Sequence, residues 1–147
     1  MESEDIRIYC SNRNKLTVWW TVKFLRNGRK VKIRDTSTKR KWKRWNITET
    51  NSSIFGMVTS ENAYFYLEAT RENENFDLVI TEGQPLSPQN VTAKDPRLFT
   101  MFKSSKGDDN SIYFQNGFSE HYVREQNSTL VLVDNKEQAT GFNFTYD

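Results

Sequence analysis

The sequence predicts an all-β chain, and three observations carry that reading. Short apolar or alternating runs recur along the 147 residues, each closed by Asn, Gly, Asp, Ser or Pro. No segment sustains a 3.6-residue period; the nearest, residues 61–73, is crowded with aromatic and β-branched side chains and reads as a strand plus a turn. A weak internal repeat aligns Ser53-Ile54-Phe55 with Ser111-Ile112-Tyr113, Tyr66 with Tyr122 and Leu78 with Leu132. Twelve strands divided by a repeat of about a third of the chain give three units of four. The expectation is therefore a β-trefoil, one domain spanning 1–147 with twelve short strands in three pseudo-repeats.

The strands are expected at 5–10, 15–25, 29–34, 41–48, 53–59, 63–69, 75–81, 97–103, 111–115, 120–125, 129–133 and 140–146. The second and third form the clearest hairpin. Asn27-Gly28 suits the two central positions of a type I′ turn, where both residues need positive φ. That turn would set Phe24 opposite Val31 and Val22 opposite Ile33 on one face, with Lys23 opposite Lys32 and Leu25 opposite Lys30 on the other. Two facing lysines cost some tenths of a kcal/mol, which either blunts a strand edge or awaits an anion. In the run 41–48, alternation puts Trp42, Arg44 and Asn46 on one face and Lys43, Trp45 and Ile47 on the other, so one tryptophan can cap the barrel. In the last strand Phe142, Phe144 and Tyr146 are expected inward, Asn143 and Thr145 outward. Residues 106–111 (KGDDNS) read as a hairpin turn rather than a cation loop.

Charge is distributed unevenly. Between Lys23 and Arg44 stand eleven Lys/Arg and one acid, Asp35; the other 125 residues hold ten Lys/Arg and eighteen acids. Such a block is either a solvated basic face or a surface for an anionic partner. Its densest part is KRKWKRW, residues 39–45.

The composition argues against several chemistries. Cys10 is the only cysteine, so no internal disulfide is expected, and His121 is the only histidine, a poor basis for a Cys–His nucleophile. Metal-ligand spacings and phosphate-cradling glycine loops are lacking, so no catalytic residue, metal or cofactor is predicted. No window is apolar enough for a membrane span, and MESEDIRIYC lacks the pattern of a secretory signal. Five sequons, at Asn46, Asn51, Asn90, Asn127 and Asn143, mark a surface rich in polar turns and possible N-glycosylation sites.

From Asp95 onward the chain resembles the closing repeat of interleukin-1 family cytokines. The resemblance rests on DPRLFTMFKSS (95–105), on SIYFQNGFSEHYV (111–123) with Phe114 and the Tyr122-Val123 pair, on Val131 to Val133, and on Thr140, Phe142 and Phe144. Residues 54–69 and 76–83 resemble the family's second repeat, and 6–18 loosely its first hairpin. Residues 123–126 depart from the pattern, and the basic segment 35–45 has no counterpart in it.

The resemblance implies a leaderless cytokine, with a cytoplasmic stage before release, that acts outside the cell as a monomer. It would engage an immunoglobulin-domain receptor of the interleukin-1 receptor family and its accessory chain, as agonist or antagonist in inflammatory signalling. The alternative is a trefoil growth-factor-like protein that binds heparin or heparan sulfate through clustered cations. For either partner the candidate contacts are Lys23, Lys30, Lys32, Lys39, Arg40, Lys41, Trp42, Lys43, Arg44 and Trp45. Nucleic acid ranks third, since no nucleic-acid-binding motif accompanies the run.

Overall fold

The computed structural model describes residues 1–35, 39–104 and 110–146; most of the turn expected at 106–111 lies outside them. Twelve strands form: β1 (Ser3–Ser11), β2 (Thr17–Leu25), β3 (Gly28–Arg34), β4 (Trp42–Ile47), β5 (Ser52–Val58), β6 (Tyr64–Glu72), β7 (Asn75–Gly83), β8 (Phe99–Phe102), β9 (Tyr113–Asn116), β10 (Tyr122–Gln126), β11 (Thr129–Val133) and β12 (Asn143–Tyr146). Each overlaps one of the runs read from the sequence, because alternation and turn residues reveal strands locally.

Their joining is not the expected β-trefoil. Hydrogen-bonded neighbours run β1-β2-β3-β11-β10-β9-β8-β5-β4 and return to β1, a closed antiparallel barrel of nine strands with β6, β7 and β12 in addition. The barrel passes through the β2–β3 and β10–β11 hairpins, which join where Thr129 pairs with Lys32. β6 and β7 pair with each other and attach to β5 and β3. β12 pairs with β1, and an isolated bridge links Ile112 to Phe142. Repeat spacing limits how many strands there are; it leaves open which edges meet, and here the arithmetic of three equal units gave the wrong closure.

Inward-pointing side chains fill the barrel. Ile6, Ile8 and Cys10 of β1, Trp20 of β2, Trp42 of β4, Phe55 of β5, Phe114 of β9 and Phe142 are all nearly inaccessible. Trp20 stands edge-on to Trp42, Phe55 and Phe142, with ring centroids 5.8, 5.8 and 5.2 Å away. Aromatic pairs in this geometry contribute about 0.5–1.5 kcal/mol each beyond the area they bury. A second, smaller core lies on the other face of β4 and β5, where Trp45, Ile54, Tyr66 and Leu98 pack together.

Double coverage explains why β5 is buried at six successive positions, Ser52 to Met57, rather than at alternate ones. At Gly56 the backbone of β6 comes so close that any Cβ would meet the carbonyl of Phe65. The last strand departs from its expected pattern: Phe142 is buried and Phe144 half-buried, but Tyr146 is 60% exposed and Asn143 is half-buried.

Candidate functional site

Both tryptophans of the basic run belong to the interior. Trp42 is fully buried and donates from Nε1 to the Trp20 carbonyl at 3.1 Å. Trp45, 4% exposed, packs on Tyr66 with centroids 5.5 Å apart. They lie three residues apart and so point to opposite faces of β4. Alternation foresaw one of them in a core; the second core takes the other. Neither is therefore a contact residue, which corrects their place in the candidate set.

Several cations of the run also find partners within the chain. β4 lies antiparallel to β1, with Glu4 opposite Arg44 and Asp5 opposite Lys43. Lys43 Nζ approaches Asp5 Oδ1 at 2.7 Å, and Arg44 Nη1 meets Glu4 Oε1 at 3.0 Å. Arg44 further donates to Ser53 Oγ at 2.9 Å and lies 5.0 Å from the centre of the Phe144 ring. The anion facing this part of the block is thus the acidic N-terminal strand. Lys39, Arg40 and Lys41 remain exposed. Lys39 Nζ sits 4.6 Å over the Trp19 ring, and Arg40 Nε points to Met57 Sδ at 3.1 Å.

The β2–β3 hairpin presents a more continuous charged face. Its register differs by one turn position from the expected one. The turn residues are Arg26 and Asn27, Gly28 carries the positive φ of +149°, and the pairs are Val22–Val31, Lys23–Lys30 and Thr21–Lys32. Asn27 is not in the left-handed region, so the type I′ turn does not form and glycine takes the one unusual backbone position. The shift preserves the faces.

Trp20, Val22 and Phe24 share one side. Trp19, Thr21, Lys23 and Leu25 share the other with Lys30, Lys32 and Arg34. Lys30 is held by Asp77 at 2.6 Å, which relieves its repulsion from Lys23. On the outward side Arg34 pairs with Trp19, Trp19 pairs with Tyr9 of β1, and Tyr9 and Trp19 rings lie 4.8 Å apart. Trp19 with Lys39, Arg7 and Thr145 bounds a shallow depression.

The result is a stripe that runs from Lys23 past Lys32 to Arg34 and ends at Trp19 and Tyr9, where Lys39 lies over the Trp19 ring. Lys30, Lys32 and Arg34 recur every second residue, which spaces them about 6.6 Å apart. Arg34, Trp19 and Tyr9 were missed in the sequence reading. The Trp19-Trp20 doublet was the available signal, because adjacent strand residues face opposite ways and only one of the two can enter the barrel.

Elsewhere the predicted residues have structural uses. Asn51 and Asn127 occupy left-handed turn positions at φ 51° and 52°. The Asn90 side chain caps a short 3₁₀ turn by accepting from Ser87 N, and Asn46 Oδ1 accepts from Ser53 Oγ. Burial, with Glu125 nearby, pushes the Cys10 thiol up to about 12, and the His121 ring packs 5.0 Å from Phe76. Among the described residues no three His, Cys, Asp or Glu side chains converge as a metal site, and no helix is long and apolar enough to cross a membrane.

The barrel and its charged face define the class, a closed antiparallel β-barrel with a cationic outer wall. Comparison with known proteins bears on the fold. No protein-family model matches the chain, and no curated protein matches its sequence. Among solved structures, a Caenorhabditis elegans protein of unknown function superposes with a TM-score of 0.65 at 6% identity, over 97% of this chain and 94% of that one. The lysenin pore superposes with a TM-score of 0.62 at 12% identity, over 98% of this chain and 46% of lysenin's. This chain therefore spans less than half the length of lysenin. Identities this low speak for the fold alone.

Proposed function

We propose that the chain works by binding rather than by catalysis, and that its ligand is a sulfated glycosaminoglycan lying along the outer face of the β2–β3 hairpin. The observation that carries this reading is the alignment of half-buried Lys32 with exposed Arg34, Lys23 and Lys39 along the outward side of the β2–β3 hairpin, with Lys30 of the same row already paired to Asp77. A linear polyanion matches a linear row of point charges without needing a deep recess. The receptor reading implied by the interleukin-1 resemblance is weaker. Trp and Arg are the side chains that most often anchor protein interfaces, and the two tryptophans assigned to that task are enclosed. What stays outside is mostly lysine and arginine.

The test is retention on immobilised heparin. Wild type should elute only at raised salt, and the quadruple variant K23A/K32A/R34A/K39A should elute far earlier with an unchanged thermal midpoint, since surface substitutions of this kind change stability by about 0.5 kcal/mol or less. Equal elution of the two proteins, or a wild type that is not retained at low salt, would remove the proposal. Trp42 and Trp45 are unsuitable probes, because changing them tests the core.

A further inference from the structure

The stripe does not account for the end of the hairpin. Phe24 is 66% exposed and Leu25 is 40% exposed, side by side in the last two pairs before the Arg26–Asn27 turn. Isolated apolar side chains on a surface need no explanation. This pair is different in arrangement: Phe24 and Leu25 lie on opposite faces of one strand, so the tip is apolar on both sides. Cations surround it. Arg26 is in the turn, Lys23 and Lys30 form the next pair inward on the Leu25 side, and Arg29 lies opposite Phe24 with its guanidinium 5.3 Å from that ring. Among the described residues the acid bonded to this group is Asp77, held by Lys30.

We propose that this tip is a peripheral membrane anchor, which seats Phe24 and Leu25 at the boundary between headgroups and acyl chains of an anionic bilayer. Two pairs of the hairpin span about 7 Å along the strand. That length suits interfacial side chains, which reach about 5–10 Å into the boundary. Exposed Lys23 and Arg26 would then lie at the level of the lipid phosphates, while Arg29 stays over the Phe65 ring at 4.2 Å and Lys30 on Asp77. Exposed aromatic and aliphatic side chains beside cations match the boundary between anionic headgroups and acyl chains. The proposal concerns shallow seating of two side chains and no span; it shares Lys23 with the glycosaminoglycan reading and differs from it in resting on Phe24 and Leu25.

The experiment is flotation of the full chain with phosphatidylcholine vesicles, with and without phosphatidylserine. Wild type should float with the anionic vesicles and remain in solution with the neutral ones. The variant F24S/L25S should lose about tenfold or more in vesicle affinity, F24L should retain most of it, and heparin retention should be the same for all three. The proposal is overturned if wild type stays in solution with phosphatidylserine vesicles, or if F24S/L25S floats as well as wild type. A parallel fall in heparin retention and flotation would also overturn it, since both would then report one charged face.

Discussion

Trp42 shows how a side chain can be assigned to the wrong surface by its neighbours. Lys41 and Lys43 flank it, yet its ring is fully buried and its Nε1 hydrogen bond to Trp20 spans the barrel interior. Trp42→Ala should cost about 3–5 kcal/mol in a denaturant titration. Lys39→Ala or Arg40→Ala should leave the same midpoint nearly in place. The Asp95–Arg97 pair is a second case decided at single residues. Arg97 Nη2 lies 2.7 Å from Asp95 Oδ2, and the two side chains are only 17% and 7% exposed. Burial raises the Asp95 carboxyl, but hydrogen bonds from the Arg97 side chain and backbone outweigh it and hold the group below the ordinary carboxylate value. A depressed carboxyl contributes stability that is complete above its unfolded value, near 4, and is lost as pH falls through the lower folded value. Wild type should therefore lose stability below about pH 4 in thermal melts across pH, and Asp95→Asn should be less stable at neutral pH by about 3 kcal/mol, with a flatter acid limb.

At the scale of elements, the junction of β5 and β6 has no room for an added side-chain atom at Gly56. Gly56 sits opposite Tyr66 where the strands approach too closely for a methyl group. Gly56→Ala should cost about 3 kcal/mol, read as a shift in the denaturant midpoint with the slope unchanged. Strand positions were legible in the sequence because alternation is local. Register in the β2–β3 hairpin was not, because Asn27-Gly28 satisfies two turns that differ by one position, and both keep Val22 and Phe24 on one face. The burial of both Trp42 and Trp45 was hidden for a related reason. Alternation assigns a face to each, and only the packing of Tyr66 and Leu98 on the far side of β4 reveals that both faces are covered.

Over the whole molecule, the charge split visible in the sequence is partly resolved inside the fold. Glu4 and Asp5 of β1 take Arg44 and Lys43, and Asp77 takes Lys30, so the acidic and basic segments meet across the sheet. What remains outward is a narrower stripe than the composition suggests, centred on Trp19 and the hairpin instead of on residues 39–45. The candidate site was thus half legible: Lys23, Lys32 and Lys39 were identified from the run, while Arg34, Trp19 and Tyr9 required knowledge of which strands lie beside β2. Closure was the least legible feature, since the Thr129–Lys32 pairing that joins β11 to β3 is one that no local pattern encodes.

The pairing of β1 with β12 has a consequence for how the chain is made. Ile6 pairs across to Tyr146, so β1 waits for β12, and the chain must emerge from the ribosome at least as far as residue 146 before this seam can zip. Contacts so remote in sequence slow folding, and until they form β1 offers an unpaired edge to any neighbouring nascent chain. On the stretch Ile6–Tyr9 that awaits β12, the charge of Arg7 discourages such encounters during the delay.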